Sequence, residues 1–292
     1  MSKLSPSLKA LINAPFARPD PTAATARIAD VYRAIASDAT RHKVGLKPWL
    51  TLSSAATFTL NSPESLTTLH SIASSSPSAA AGLTNPAVQT AELIREVGLK
   101  CISFNGIPRS INCLNAFHAS LPTSVSSQLA TGATRAPTQA NLAAITARGR
   151  ALWDSVYAPF ETKLVAKLAT SHPDLPVHIL NSHYGPLLSD PVERGGGGGG
   201  EGKLATTGRV LTSVIAVACL RSQTGVGPQV LSHVFGLRKG IEDGSYRAEG
   251  EEVVEGAEWL AGDEGSEWIL RSVDAIAEAL GGSNFARPGG KL

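Results

Sequence analysis

Apolar residues recur along most of the chain at the three- and four-residue spacing of amphipathic α-helices. The clearest example runs from Arg209 to Gly240. An apolar run at 210–220 ends at a Gly/Pro-containing turn at 225–228, and a second segment then repeats its apolar positions at helical spacing. The pattern predicts two helices joined by a tight turn, with Gly240 ending the second and His233 facing the first helix or a neighbour.

Helical spacing also marks the segments on both sides of this hairpin, and the low aromatic content with abundant Ala, Leu and Ser favours helices over strands. The predicted helices cover 22–36, 49–60, 63–73, 86–104, 111–117, 142–157, 177–188, 249–261 and 266–280. Residues 1–22 are expected to form an irregular lead-in held by four apolar side chains, Leu8, Leu11, Ile12 and Phe16. The sequence therefore predicts an all-α fold.

The first half of the chain repeats the order of the central hairpin. In both places an apolar helix is followed by a break and then by a helix with one histidine, which is His70 in the first half. We therefore predict two tandem helical halves packed as one body, at 22–121 and 138–282, followed by a flexible tail at 283–292. Residues 122–137 are rich in Ser, Thr and Ala and are expected to form a linker or exposed loop.

Composition and charge narrow the class of protein. A chain of 292 residues can bury a large core, and 42% hydrophobic against 17% charged residues suits a soluble protein. The net charge is +2 without a basic block, so neither nucleic acid nor a charged membrane surface is expected as a partner. The longest apolar run has about half the length of a membrane span. Six glycines at 195–200 are expected to form a surface loop.

The three cysteines, Cys101, Cys113 and Cys219, have no short pair spacing. An odd number of thiols within apolar helices indicates reduced, buried cysteines of an intracellular protein, and no metal site or cofactor is expected. Cys219 has only Arg221 nearby as a cation that would stabilise a thiolate, so we interpret this cysteine as structural.

The central hairpin resembles the core of the AhpD-like superfamily, which includes the carboxymuconolactone decarboxylases and the AhpD alkylhydroperoxidases. The resemblance rests on an apolar helix after Arg209, a short turn, Gln229 and His233 in a Gln-x-x-x-His pattern, and Gly240. The peroxidase branch carries Cys-x-x-Cys-x-x-x-His at this place. Here Val226 and Gln229 occupy the two cysteine positions. The resemblance therefore does not imply a Cys-x-x-Cys peroxidase.

Three further segments extend the resemblance over most of 25–280. They are an aromatic followed by Gly-x-Pro at 104–108, an Arg-Gly…Trp…Tyr segment at 148–157 and a Pro-Asp-Leu…Tyr-Gly segment at 173–185. The second half lacks the Gly-x-Pro segment, so each half is incomplete by the standards of the family. The resemblance implies two AhpD-like halves and a homo-oligomer.

Resemblance to the decarboxylase branch implies acid–base chemistry on a small carboxylate- or lactone-bearing molecule. His233 would be the centre of this chemistry, because a histidine on an inward helix face can act as general acid or base near neutral pH. His183 and Tyr184 are the other catalytic candidates. The expected substrate-binding residues are Gln229, Arg209 and Tyr157.

Each of these residues also has a purely structural interpretation. His233 would then be bonded to a backbone carbonyl or to Gln229, one turn earlier. The two tyrosines would pack with their hydroxyls at the rim, and Arg209 would be a solvated residue. For His70, which has small polar neighbours in sequence, the structural interpretation is favoured.

His178 and His183 lie five residues apart on one predicted helix. This spacing places them about 140° apart around an α-helix, so joint ligation of a metal is not expected.

Two main functions remain open at this point, and a third is disfavoured. The first is a cysteine-independent acid–base enzyme, and the second is a non-catalytic helical binding or scaffold protein with decayed sites. An alkylhydroperoxidase-type antioxidant is disfavoured because the cysteine pair is missing. A pocket at His233 with at least two polar neighbours would favour the first function, whereas aliphatic side chains sealing the histidine would favour the second.

The chain ends with Gly290, Lys291 and Leu292, which resemble the Ser-Lys-Leu peroxisomal address with glycine in place of the preferred serine. This ending predicts the peroxisomal import receptor as a partner and a peroxisomal location, as in fungal AhpD-like proteins. A cytoplasmic location is one alternative. A mitochondrial location is another, because three basic residues precede the first acidic one, although three prolines interrupt that segment.

Overall fold

The computed structural model of the protein describes residues 4–191 and 205–285. Every regular element in these two ranges is helical, which confirms the predicted all-α fold. In chain order the α-helices are α1 (Pro6–Ile12), α2 (Ile28–Arg41), α3 (Leu46–Thr59), α4 (Pro63–Ser74), α5 (Pro77–Gly82), α6 (Pro86–Lys100), α7 (Ile102–Asn105), α8 (Ile107–Ser120), α9 (Thr123–Ser126), α10 (Leu142–Tyr157), α11 (Glu161–Ser171), α12 (Asp174–His178), α13 (Gly208–Gln223), α14 (Gly227–Glu242), α15 (Ala257–Ala261) and α16 (Asp263–Ala279). A π-helix at Ile179–Leu188 continues α12.

Helices α3 and α13 form the centre of the molecule and pack against each other. Nearly every residue of both helices is buried, and the stretches 48–59 and 210–220 contain no charged side chain. Helices α4, α6 and α16 cover α3, and α14 and α16 cover α13. A helix that carries no charged side chain on any face and is buried on all of them needs neighbours on all faces, and the surrounding helices supply them.

Both predicted halves contribute to this core, whose buried residues come from 28–129 and from 210–280. Helix α2 packs on α4 and α6 packs on α3, while α10 packs on α14 and α16 packs on α13. The tandem relationship of the two halves stays a prediction.

A smaller hydrophobic cluster, with Trp153, Tyr184 and Leu188 at its centre, lies where α10 packs along the π-helix. The two backbones cross at a pair of glycines. A Cβ atom at Gly149 would lie only 2.4 Å from the amide nitrogen of Gly185. Because no side chain fits between the two backbones, the glycine pair sets how closely α10 approaches the π-helix.

Several helix boundaries differ from the predicted ones. Helix α2 begins at Ile28 rather than at residue 22, and α11 has no counterpart among the predicted helices. The predicted helix at 86–104 is divided at Cys101 into α6 and α7. Of the predicted helix at 249–261 only α15 forms, because two glycines within that stretch adopt positive φ angles, which do not occur in a right-handed helix.

The prediction that Gly240 ends its helix is wrong. Helix α14 continues to Glu242, and Gly240 is buried within it. A Cβ atom at Gly240 would lie 3.3 Å from Cζ of Arg209. The glycine therefore leaves room for a buried guanidinium instead of providing the left-handed residue of a helix terminus.

The prediction for the lead-in is wrong as well. Its four apolar side chains, which were expected to hold it to the core, are between 42% and 80% exposed. Helix α1 contains no buried residue. The predicted linker at 122–137 is irregular except for the short helix α9.

Three predicted features lie partly or wholly outside the described residues. They are the glycine loop at 195–200, the flexible tail at 283–292, and the targeting tripeptide of Gly290, Lys291 and Leu292 within that tail. Among the helices that the structure does describe, none is long and apolar enough to cross a membrane.

Candidate functional site

His233 lies on the inward face of α14, and only 8% of its surface is exposed. Helices α7 and α10 supply its aromatic neighbours. The ring of Phe104 on α7 meets the imidazole edge to face, with 6.1 Å between the ring centroids. The hydroxyl of Tyr157 on α10 lies 3.3 Å from Nε2 of His233. His233 was predicted to face either the first helix of the hairpin or a neighbouring helix, and it faces the neighbouring helices α7 and α10.

A second tyrosine extends this contact into a hydrogen-bonded chain. The hydroxyl of Tyr184, from the π-helix, donates to the hydroxyl oxygen of Tyr157 at 3.2 Å. The proton of Tyr157 is then free to be donated to Nε2 of His233, which places the proton of a neutral imidazole on Nδ1. Three of the predicted site residues, from three different helices, thus form one proton-sharing chain.

Burial controls the protonation states in this chain. Burial, together with the positive charge of Arg209, lowers the pKa of His233 to about 4. Burial raises the pKa of Tyr157, and it raises that of Tyr184 well above the ordinary value, where proximity to Tyr157 adds to the effect. At neutral pH the histidine is therefore neutral and both tyrosines keep their protons.

Arg209 stands at the head of α13, and only 3% of it is exposed. The interpretation of Arg209 as a solvated residue is therefore wrong. Its guanidinium donates to the carbonyl oxygens of Ser155 on α10 at 3.1 Å and of Gly236 on α14 at 2.6 Å, and to the hydroxyl of Ser213. These bonds tie α10, α13 and α14 together around the His233 chain.

The segment with His183 and Tyr184 is a π-helix, which the sequence did not predict. The amide of Ser189 donates to the carbonyl of Tyr184, five residues earlier, at 3.0 Å. Side chains five residues apart are neighbours in such a helix, and the rings of His178 and His183 lie 5.1 Å apart. The predicted separation of about 140° is therefore wrong, because it assumed α-helical geometry. Segments of π-helix are rare and often lie at functional sites.

His183 is half-buried and shares a hydrogen bond of 3.1 Å with the hydroxyl of Ser103 on α7. Burial, followed by the charge of His178, lowers its pKa. Helix α7 thus contacts both predicted histidines, His183 through Ser103 and His233 through the neighbouring Phe104.

The structure also bears on the predicted hydrogen bond of Gln229 and on the structural interpretation of His70. Gln229 is exposed at the start of α14, and within the described parts of the chain no hydrogen bond joins it to His233. The alternative in which Gln229 fixes the histidine is therefore wrong. His70 shares a 2.8 Å hydrogen bond through Nε2 with the carbonyl oxygen of Ala87, in keeping with its structural interpretation.

Sequence reasoning missed Trp153 as a part of this site. Its ring centroid lies 4.2 Å from that of Tyr157 and 5.1 Å from that of Tyr184. Because Trp153 precedes Tyr157 by four residues on α10, helical spacing alone would have paired these two rings. No comparable signal in the sequence marks Ser103.

The three cysteines are buried and unpaired. Cys101 and Cys219 nevertheless meet in the core, with 3.5 Å between their sulfur atoms. Burial raises the pKa of Cys101 and raises that of Cys113 to about 12, so both thiols stay protonated at neutral pH. Cys219 lies on α13 and Cys101 lies between α6 and α7, and the sulfur atoms of both are inaccessible to a substrate.

Comparison with known proteins finds no match among family models, curated proteins or solved structures. The resemblance to AhpD-like proteins therefore rests on the residues of this chain alone.

Proposed function

We propose that the protein is an AhpD-like, cysteine-independent acid–base enzyme that acts on a small carboxylate- or lactone-bearing molecule. The observation that carries this proposal is the chain of hydrogen bonds from Tyr184 through Tyr157 to His233. The neighbours of the histidine are aromatic and polar, and a rare π-helix contributes to them. A buried network with matched donors and acceptors holds its members in fixed positions for the transfer of protons.

The chemistry follows from the protonation states. With its pKa lowered to about 4, His233 is a neutral donor through Nδ1 at physiological pH. Negative charge that develops on a substrate oxygen beside Nδ1 would be stabilised by this N–H group. A proton passed from Nδ1 to the substrate would be replaced at Nε2 from Tyr157, and that of Tyr157 from Tyr184. The negative charge then left on Tyr184, near the guanidinium of Arg209, would be neutralised when the same chain returns a proton from the substrate to Tyr184. The raised pKa values of both tyrosines keep them protonated at neutral pH in the resting protein.

The low exposure of His233, at 8%, favours a second candidate function. In a non-catalytic helical binding or scaffold protein, the same residues would serve as a satisfied polar centre of the cluster around Trp153. This function needs no route from solvent to the imidazole. The two functions therefore differ in whether His233 affects turnover.

A matched pair of histidine variants tests the proposal. Small lactones and β-keto acids that carry a carboxylate are incubated with the protein, and turnover is followed by loss of substrate. We expect His233→Asn to lower turnover by about a hundredfold or more, as loss of a general acid or base does. The control is His70→Asn, because His70 lies at a similar place in the first hairpin and, among the described residues, its ring nitrogen bonds a backbone carbonyl instead of a tyrosine hydroxyl.

Thermal unfolding of both variants controls for loss of the fold. Equal turnover by His233→Asn and the parent protein, or no turnover of the panel by the parent, would contradict the acid–base enzyme and favour the binding protein. Tyr157→Phe gives a second arm, because it removes only the hydroxyl that connects the two ends of the chain.

The peroxisomal location and the homo-oligomer stay predictions. The location is tested with an N-terminally tagged chain, with and without Gly290, Lys291 and Leu292. Import that depends on these three residues would support the prediction, and Gly290→Ser should strengthen it. The same cytosolic distribution of both chains would contradict it.

A further inference from the structure

A groove of about 460 Å³ lies between α2 and α16, with α15 and His42 closing one end. None of its lining residues belongs to the His233 chain. Its volume is within the range of small-molecule sites. Because the two sites share no residue, the groove is independent of the proposed function. A binding result at the groove neither supports nor contradicts the proposal for His233.

Two tryptophans form the wall of the groove. Trp259 on α15 and Trp268 on α16 are half-buried, with 5.7 Å between their ring centroids and 57° between their planes. His42 stacks on one face of Trp259 at 4.3 Å. Both tryptophans pack against the core on one side and line the groove on the other. The structure thus offers a bent aromatic surface to a ligand.

The charged residues that line the groove are mostly acidic, although the chain as a whole has a net charge of +2. Asp38 is paired with Arg41, and Glu267 is paired with Arg271. Glu264, in the first turn of α16, has no ion pair within the described ranges. One carboxylate at the aromatic wall is therefore left for a ligand.

We propose that this groove binds a small organic cation, a quaternary ammonium or a protonated amine, against Trp259 and Trp268 with Glu264 as the counter-ion. The faces of indole rings attract cations through their quadrupoles, and quaternary ammonium groups are recognised by such aromatic walls. Because Asp38 and Glu267 are each paired with an arginine, the carboxylate of Glu264 leaves the groove with a net negative charge, which repels an anionic ligand. A neutral apolar ligand would gain nothing from Glu264 and would remove its carboxylate from water.

Calorimetric titration of the full chain with choline chloride tests this proposal. The matched control ligand is 3,3-dimethylbutan-1-ol, which has the shape of choline without its charge. We expect choline to bind with a dissociation constant on the order of a millimolar, and to change tryptophan fluorescence. The neutral analogue should bind about tenfold more weakly.

Four variants, one of them a control, locate the site. Trp268→Leu should weaken choline binding about tenfold, whereas Trp268→Phe, which keeps an aromatic face, should weaken it less. Glu264→Gln should weaken it severalfold. Glu278→Gln removes the same charge from the same helix outside the groove and should leave binding unchanged.

The ligand titrations and the variants can each contradict the proposal. Either the absence of saturable binding up to about 50 mM choline, some fifty times the expected constant, or equal binding of the two ligands would rule out a cation site. Equal losses in Glu264→Gln and Glu278→Gln would mean that any attraction comes from the overall charge. If Trp268→Leu does not fold, the neutral ligand and the two glutamate variants still decide.

Discussion

At the scale of single residues, the burial of His233 has a consequence for folding stability. Its pKa of about 4 in the folded protein lies below the value of about 6.5 for an unfolded histidine. Between these two values the unfolded chain binds more protons than the folded one, so stability rises with pH through this window. The folded protein should therefore lose about 3 kcal/mol from this residue as the pH falls from 6.5 to 4.

The variant His233→Asn should remove this contribution. Its free energy of unfolding in urea, measured at several pH values between 4 and 7.5, should rise less steeply with pH than that of the parent. Tyr157, Arg209 and Phe104 face the imidazole from the adjacent helices, and none of them titrates in this window. The same slope in both proteins would show that the imidazole is not held neutral.

Arg209 is expected to contribute to folding stability as well, through its buried hydrogen bonds. Replacement by methionine would leave the carbonyls of Ser155 and Gly236 without their buried donor. We expect Arg209→Met to lower the free energy of unfolding by about 3 kcal/mol, since buried groups that lose a charged partner are strongly destabilising. Urea denaturation measures the loss.

The control for Arg209 is Arg221→Met, near the other end of α13. Arg221 forms an exposed ion pair with Asp274, in which both side chains are about half exposed, so its removal should change stability by less than about 1 kcal/mol. Similar losses in the two variants would contradict the structural role of Arg209 as the tie between three helices.

At the scale of elements, the apolar helices were predictable and the π-helix was not. The sequence predicts α3 and α13 as core helices because their long uncharged stretches must be buried. The segment Ile179–Leu188 has apolar residues that fit a helix, but its five-residue hydrogen bonds depend on packing against α10. The contact of His178 with His183 could not be predicted for this reason. Positive φ angles at glycines likewise shortened the predicted helix at 249–261.

The crossing of α10 with the π-helix gives the prediction at this scale. Gly149→Ala would place a methyl group 2.4 Å from the backbone of Gly185, so the two elements would have to move apart. We expect a loss of about 2 kcal/mol or more, since overpacking against backbone relaxes poorly. Near-ultraviolet circular dichroism should change too, because Trp153 and Tyr184 pack across the same crossing.

Gly82→Ala is the matched control for this prediction, because a Cβ atom there has nothing within 4 Å. It lies at the end of α5, and we expect a change in stability of less than about 1 kcal/mol. A Gly149→Ala variant as stable as this control would mean that the crossing is not tightly packed.

At the scale of the whole molecule, the sequence predicted the fold class but not how the parts meet. Tyr157 and His233 lie 76 positions apart, and the pattern along either helix contains no information on their contact. The resemblance to AhpD-like proteins brought His233, Tyr157 and Tyr184 together as candidates. It also included Gln229, which is exposed. The spacing of apolar residues identifies the buried face of each helix. Which side chains of different helices come into contact is decided by the packing of the helices.

Lys100 is the residue that most clearly joins distant parts of the molecule. It is fully buried at the end of α6, and its ammonium donates to the carbonyl of Leu188 at 2.6 Å and to Asp190 at 2.8 Å. The other oxygen of Asp190 accepts the amides of Thr207 and Gly208, at the start of α13. The first half of the chain is thereby tied to the end of the π-helix and to the central helix of the second half.

Electrostatics explain why this connection is strong. Burial by itself raises the pKa of Asp190, but the charge and hydrogen bond of Lys100, together with the amide hydrogen bonds of Gly208 and Thr207, outweigh burial and hold that pKa below its ordinary value. Without Lys100, the nearest cation among the described residues is Arg135, whose guanidinium lies 3.9 Å from Asp190 and is bonded more closely to Glu96. Breaking a buried ion pair by removing one partner leaves the other charge uncompensated.

We therefore expect Lys100→Met to lower the free energy of unfolding by about 3 to 5 kcal/mol. The double variant Lys100→Met/Asp190→Asn should recover part of this loss, because it removes the uncompensated carboxylate while keeping the acceptor of the two amides. Lys47→Met is the control, since the pair of Lys47 with Glu252 is one-third exposed and should contribute less than about 1 kcal/mol. Urea denaturation of the four proteins measures these differences. If the double variant were less stable than Lys100→Met, the carboxylate of Asp190 would be stabilising by itself, and the connection between the halves would not depend on the ion pair.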